Sequence, residues 1–407
     1  MSTRLLTDDS RKKVSDVFCI LLCLLCVYAV VWSFTGMWPW AHNEYNSYVL
    51  QADAWRHGRL DLGQNYSHLE IAKYGGKYFV SFPPFPSYVM FPFVCLFGTA
   101  VADNLIALLV SFVGAIYLLK LLWKLGQTGR SCLFWTLFVT IGSNLLYLSV
   151  NGWVWFFAQS MSFTLSVMAL YYAVSKKGGL SLSLWACSVG CRPLQAVFLP
   201  VLLYVFWKNL RQDGLSLRQI IKAHWNWVIA PTIIAVSYML LNYFRFDNIL
   251  EFGHNYLPEF QEAANGQFSL SYVIENMKTL FRLPGVNKNG TLDFPSFNGM
   301  AFFIVSPIFV SFVIYLIKSF WERKPFNRIL ILGIPLLIAL QFFFLTMHKT
   351  MGGHHFGNRY TVDCLPYLFF ALVLLLPKHD TFRKFQYPLF FLGLCLNIVG
   401  TVIVYTS

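Results

Sequence analysis

The feature that most constrains this chain is a succession of apolar runs, each near the length a helix needs to cross a bilayer, about 20 residues. They occupy residues 17–37, 102–123, 132–150, 153–174, 225–244, 300–317, 328–346, 361–376 and 387–405. Between 180 and 207 lie two half-length apolar pieces broken by Gly190-Cys191-Arg192-Pro193, read either as a re-entrant hairpin or as two short spans. Hydrophobic residues make up 57% of the 407 and charged ones only 12%, which excludes a soluble globular domain. The expected fold is an all-α polytopic membrane protein, one transmembrane domain over 1–407 with about nine full spans plus the broken hairpin, up to 11 spans in all. The first run follows RLLTDDSRKK, carries no small-residue cleavage pattern and reads as an uncleaved signal anchor.

Charge placement orients the expected spans. With the N-terminus cytoplasmic, 20 of the 31 Lys and Arg but only six of the 18 acids fall on the inner side. Lys120, Lys124, Lys176, Lys177, Lys318 and Lys384 are among those basic residues, and each inner loop obeys the positive-inside rule. The net charge of +13 is therefore a topology signal, not a nucleic-acid footprint. The piece from Phe85 to Gly98 must then dip into or lie along the outer leaflet, because a full span there would invert Lys120 and Lys124. Cys19, Cys23 and Cys26 recur at helical spacing within the first run and read as small packing residues.

Three non-cytoplasmic regions remain, 38–101, 245–299 and 348–360, and function is expected where they meet. The first opens with Tyr45, Tyr48, Val49, Ala52 and Trp55 at helical spacing, an interfacial helix rich in aromatics. Glu44 at the end of the first span is either a partly desolvated general base or a solvated acid in the first turn of that helix. Asp53, with Arg56 and His57 at helical spacing, is a second candidate base, with a surface ion pair as the alternative. Glu70 precedes a Gly75-Gly76 turn between two short strand-like pieces carrying Lys73 and Lys77, which could attract a phosphate or simply face solvent.

In the third region Gly352, Gly353 and Gly357 free the backbone beside Arg359, which either meets a phosphate or pairs with Asp363 four residues on. His354 and His355 are adjacent and point apart, so they make no zinc site alone. Arg245, Glu251 and His254 in the second region are candidates for lining an acceptor site, or form an amphipathic loop. Two sequons, Asn65-Tyr66-Ser67 and Asn289-Gly290-Thr291, carry little information.

Taken together, Glu44, Tyr48 and Ala52-Asp53, followed by HGRLDL, YGGKYFVSFPPFP, NYFRFDNILEFG and HFGNRYTVDCLPY, resemble bacterial multi-pass proteins of the GT-C glycosyltransferase superfamily over about residues 40–376. The resemblance implies a GT-C-like fold and an inverting transferase. Its donor is a polyprenyl-phosphate sugar, and its acceptor an envelope glycan, lipid or protein at the non-cytoplasmic face of a bacterial plasma membrane. It implies a catalytic carboxylate after the first span, matched best by Glu44 and next by Asp53. Arg359, aided by Lys73, Lys77 and His355, then holds the donor phosphate, and Glu70, Arg245, Glu251, His254 and Tyr360 the acceptor. Where many relatives have an aspartate, often with a second acid beside it, this chain has His42-Asn43-Glu44. No cofactor is expected; a divalent metal stays open, with no residue set to support one. The alternatives are a lipid-linked-oligosaccharide flippase or transporter, which would line a mid-membrane path with charge, and a repeat-unit polymerase.

Overall fold

The computed structural model describes residues 2–212, 214–286, 288, 290, 292–322, 327–377 and 384–406. Asn289 and Thr291 of the second sequon, and the inner-loop charges Asp213, Arg323, Lys324, Lys378, Asp380 and Arg383, lie outside the described residues. The chain is an all-α polytopic membrane protein. Among the described residues seven helices are long and apolar enough to cross a membrane: Asp9–Thr35, Asp103–Lys124, Val154–Val174, Pro193–Arg211, Leu217–Phe246, Arg328–Thr346 and Gln386–Thr406. Three shorter apolar helices accompany them, Phe85–Ala100, Gly178–Val189 and Ile308–Trp321.

Helix α1 (Ser2–Thr35) runs unbroken because it holds neither glycine nor proline, and it ends where Gly36 turns left-handed at φ 72. Its inward face is Ile20, Leu24, Tyr28 and Val31, all buried. Cys19, Cys23 and Cys26 are exposed on the opposite face, so they do not pack in the protein core as expected. Helix α2 (Ser47–Arg56) starts later than its aromatic spacing suggested, because the Asn46 side chain accepts from the Tyr48 N–H and caps it there. Glu44 therefore precedes the helix.

Strands β1 (Ile71–Tyr74) and β2 (Lys77–Val80) form the hairpin read from Gly75-Gly76, both left-handed at φ 56 and 77. Helix α3 (Phe85–Phe97) is too short to cross a bilayer and packs on α2. Helix α4 (Asp103–Lys124) begins at a buried carboxylate. Asp103 Oδ2 accepts from Asn43 Nδ2 at 2.8 Å and Asn46 Nδ2 at 3.1 Å, which ties the first loop to the bundle.

The expected span 132–150 is broken into α5 (Arg130–Thr140) and α6 (Leu145–Ser149). Gly142 lies in the break, where an added Cβ would fall 2.9 Å from both Phe138 and Phe390, and the Asn144 side chain, just before α6, donates to Phe356 O. Helix α7 (Val154–Val174) is the central post, packed on α4, α6, α8 (Gly178–Val189), α9 (Leu199–Gln212) and α17 (Leu365–Leu375). Its close neighbours are admitted by small groups: a Cβ at Gly114 of α4 would sit 2.6 Å from Thr164 Oγ1. The 180–207 segment is two helices: α8 stops at Gly190, pressed against Tyr238, and Pro193 opens a 3-10 turn leading into α9.

The chain continues through α10 (Leu217–His224) and α11 (Ile229–Phe246), then enters the second loop with α12 (Pro258–Gln261), α13 (Val273–Phe281) and the short pair β3 (Gly285–Val286) and β4 (Leu292–Asp293). The expected span 300–317 is interrupted at Ser306-Pro307, giving α14 (Phe302–Val305) and α15 (Ile308–Trp321). After α16 (Arg328–Thr346), the third loop closes with a 3-10 turn, Arg359–Cys364, that leads into α17, so the expected 361–376 span holds only eleven α-helical residues. Helix α18 (Gln386–Thr406) completes the bundle against α1.

Candidate active site

All three loop regions line one cavity of about 770 Å³ at one end of the bundle. Tyr48, Glu70 and Phe82 come from the first, His254 and Phe268 from the second, and His348, Arg359 and Tyr360 from the third. The second and third are stitched together by backbone: Ser269 N–H donates to Met347 O, Lys349 N–H to Gln267 O and His355 N–H to Ser296 O. Asn298, held left-handed at φ 60, accepts from the Met351 and Gly353 N–H groups at 3.1 and 3.2 Å.

The centre is built on the first turns of α7. Trp155 and Gln159 stand four residues apart and so share one helix face. The Trp155 indole N–H donates to Glu70 Oε1 at 2.8 Å, while the Trp155 carbonyl accepts from an Arg359 guanidinium N–H at 3.3 Å. One residue thus positions a carboxylate and a cation in the same chamber. Burial lifts the Glu70 carboxyl above its ordinary pKa; Arg359 and the Trp155 hydrogen bond pull it partly back, and Glu259 adds to the rise.

Arg359 is buried, 5% exposed, yet its hydrogen bonds go only to neutral acceptors: Trp155 O, Gln159 Oε1, Gly352 O and Tyr360 OH, at 3.1 to 3.4 Å. Asp363 takes a different partner. Its Oδ2 accepts from Arg192 Nε at 3.0 Å and its Oδ1 from Gln159 Nε2 at 3.3 Å, so among the described residues Arg359 makes no ion pair. A buried guanidinium without an anion is costly unless an anion visits. The two arginines flank the Tyr360 ring, with guanidinium carbons 4.8 and 4.6 Å from its centroid. Gly352 adopts a left-handed φ of 109, open to it because it has no Cβ, and a Cβ there would also fall 2.8 Å from Arg359 Nε.

Glu251 also lines the cavity, but its carboxylate is occupied by the Gly253 N–H and the Asn255 amide, each at 2.6 Å. Two imidazoles face the chamber uncharged. Burial, then the neighbouring His348 and Arg192, push His254 down to about 3; burial pushes His348 down to about 4.

The remaining candidates lie outside the cavity lining. Glu44 is exposed, and its carbonyl lies 3.2 Å from His68 Nε2. Asp53 sits 3.6 Å from His57 on the far side of α2. Lys73 and Lys77 are exposed on the hairpin. Arg245 is buried and spends its guanidinium on Val80 O and Asn242 Oδ1, both at 2.9 Å, pinning β2 to α11. His355 is buried among Gly299 and the chain around it.

Sequence reasoning passed over Trp155, Tyr48, His348 and Glu259 as site residues. Tyr48 read as part of an apolar stripe, but it lines the cavity, and its buried hydroxyl has no partner among the described residues. Among those residues no cluster of three or more His, Cys, Asp or Glu could hold a metal ion. Compared with known proteins, the chain matches no family model, no curated protein and no solved structure.

Proposed function

We propose that this protein is a membrane glycosyltransferase that moves a sugar, with inversion, from a polyprenyl-phosphate donor to an acceptor at the non-cytoplasmic face of a bacterial plasma membrane. The observation that carries the reading is the pairing, through Trp155, of a carboxylate of raised pKa with a buried arginine that makes no ion pair of its own among the described residues. The GT-C resemblance of the loop motifs supports it. So does the placement of that pair at a bundle end, where a headgroup is accessible while its hydrocarbon stays in lipid.

Glu44 and Asp53 lie outside the lining of the cavity that holds Arg359, whereas Glu70 is part of it, so the proposed base is Glu70. In the proposed step the acceptor hydroxyl gives its proton to the Glu70 carboxylate as its oxygen bonds to the anomeric carbon. The bond from that carbon to the phosphate oxygen breaks, and the electron pair leaves with polyprenyl phosphate. Arg359 stabilises the phosphate as it gains charge. Arg192, already paired with Asp363, lines the same cavity. A base of raised pKa suits this role because it accepts a proton more readily near neutral pH.

The test is release of free polyprenyl phosphate from a panel of polyprenyl-phosphate sugars by the purified protein in lipid nanodiscs, with Glu70→Gln and Glu44→Gln alongside. Release that Glu70→Gln abolishes and Glu44→Gln spares is the expected result. Loss with Glu44→Gln alone would return the base role to Glu44. Wild-type folded protein that leaves every lipid-sugar bond intact would sink the transferase reading in favour of transport.

A further inference from the structure

One wall of the cavity is made of five aromatic rings in unbroken succession. Phe82 meets His254 edge-on at 5.3 Å, His254 stacks on Phe260 at 6.1 Å, and Phe260 meets His348 at 5.2 Å, which meets Phe268 at 5.1 Å. All five line the cavity, and they join the segment just after β2, the second loop and the third loop into one surface of the chamber that also holds Glu70 and Arg359. Phe268, at the far end, is 51% exposed.

The same cavity is lined by neutral hydrogen-bonding groups, the amides of Asn265 and Gln267 and the Thr350 hydroxyl. Gln267 Nε2 lies 3.1 Å from His348 Nε2, and His348 Nδ1 lies 2.7 Å from Thr350 O. An isoprenoid tail laid on this wall would bury those groups without partners. Among the described residues a strongly anionic ligand would gain no spare cation from this wall: of the cavity's two arginines Arg192 is paired with Asp363 and Arg359 is assigned to the donor phosphate, and the Lys349 ammonium is turned to the Glu259 carbonyl.

A pyranose ring answers both demands: it presents an apolar C–H face to an aromatic ring and hydroxyls to amides and imidazoles at its edge. A single sugar ring spans one or two members of the wall, whereas the wall continues for four ring-to-ring steps. We infer that this wall is the binding track for a neutral oligosaccharide acceptor of several units, whose terminal hydroxyl reaches Glu70. The inference rests on the transferase reading, and it narrows the acceptor from envelope molecules in general to a pre-built glycan chain.

The experiment is calorimetric titration of the nanodisc-embedded protein with neutral gluco-, manno- and galacto-oligosaccharides, from mono- to hexasaccharide. Wild type, Phe268→Ala and Phe268→Trp are compared. In at least one series affinity should rise about tenfold or more from mono- to tetrasaccharide, Phe268→Ala should flatten that rise, and Phe268→Trp should retain it. Binding that does not depend on length, binding to no series, or a length dependence that survives Phe268→Ala would overturn the inference. Polyprenyl phosphate release is read separately. Release without length-dependent binding refutes the track and leaves the transferase; length-dependent binding without release refutes the transferase and leaves a glycan-binding wall.

Discussion

Trp155 is the residue on which the proposed chemistry turns, because it is the shared partner of Glu70 and Arg359. Its indole N–H stabilises the ionised form of Glu70 against burial, which disfavours that form. The base must be deprotonated to work, so kcat/KM should rise with pH through the Glu70 pKa, with a limb above the ordinary range of a glutamate. Trp155→Phe removes the donor, raises the Glu70 pKa further and should move that limb to higher pH; a limb that stays put would separate Glu70 from the rate. Glu70→Gln should abolish the limb and cost about 10²- to 10⁴-fold in kcat/KM, read by the same donor-cleavage assay. Arg359 offers a planar fork to a phosphate. Arg359→Lys keeps the charge but not the fork, and should lose a large part of the about 10²- to 10³-fold that a charge-stabilising donor contributes, mainly in kcat. At this scale the sequence was partly legible. Arg359 stood out because glycines surround it, and Glu70 because it heads a hairpin. Glu44 drew attention for its position after a span, yet position along the chain does not say which way a side chain faces, and the Asn46 cap leaves Glu44 outside the helix.

Among the elements, the third loop does the most with the least regular structure. Its glycines let the backbone wrap the guanidinium, and Gly352 is the one that touches it: a methyl group there would press on Arg359 Nε from 2.8 Å and strain a φ of 109. Gly352→Ala should therefore cut turnover by tenfold or more, on the order of 1–3 kcal/mol of strain and displacement, while the protein stays folded by gel filtration and circular dichroism. Long helices such as α4, α7, α16 and α18 were readable because each carries an uninterrupted apolar run. The broken ones were not. Residues 132–150 and 300–317 have the hydropathy of a span, but the first is interrupted at Gly142, packed against Phe390, and the second at Ser306-Pro307, where hydropathy alone gives no warning. The aromatic wall was invisible for a related reason, since its rings come from distant segments and have no spacing in common.

Across the whole molecule, the first loop is anchored by a buried carboxylate at the head of α4. Asp103 holds Asn43 and Asn46, and Asn46 also donates to Gly152 O at 3.0 Å, so the loop carrying Tyr48 and Glu70 is fixed to the bundle at this point. Asp103→Ala leaves the buried Asn46 amide short of an acceptor and should lower stability by about 1–3 kcal/mol, seen as a lower midpoint in thermal unfolding in nanodiscs. The weakened anchor should also let the 42–70 segment exchange amide hydrogens faster; unchanged exchange there would show that other contacts hold the loop. The same architecture sets a timetable for biogenesis. The carboxylate is made early in translation and the arginine late, and the turn of α7 that aligns them is threaded into the membrane between the two. On the proposed chemistry, a chain that stops short of the third loop holds only one of the two groups, so a ribosome stalled there would leave an inert intermediate, and a lipid-linked sugar would be at risk of cleavage only after Arg359 has been made.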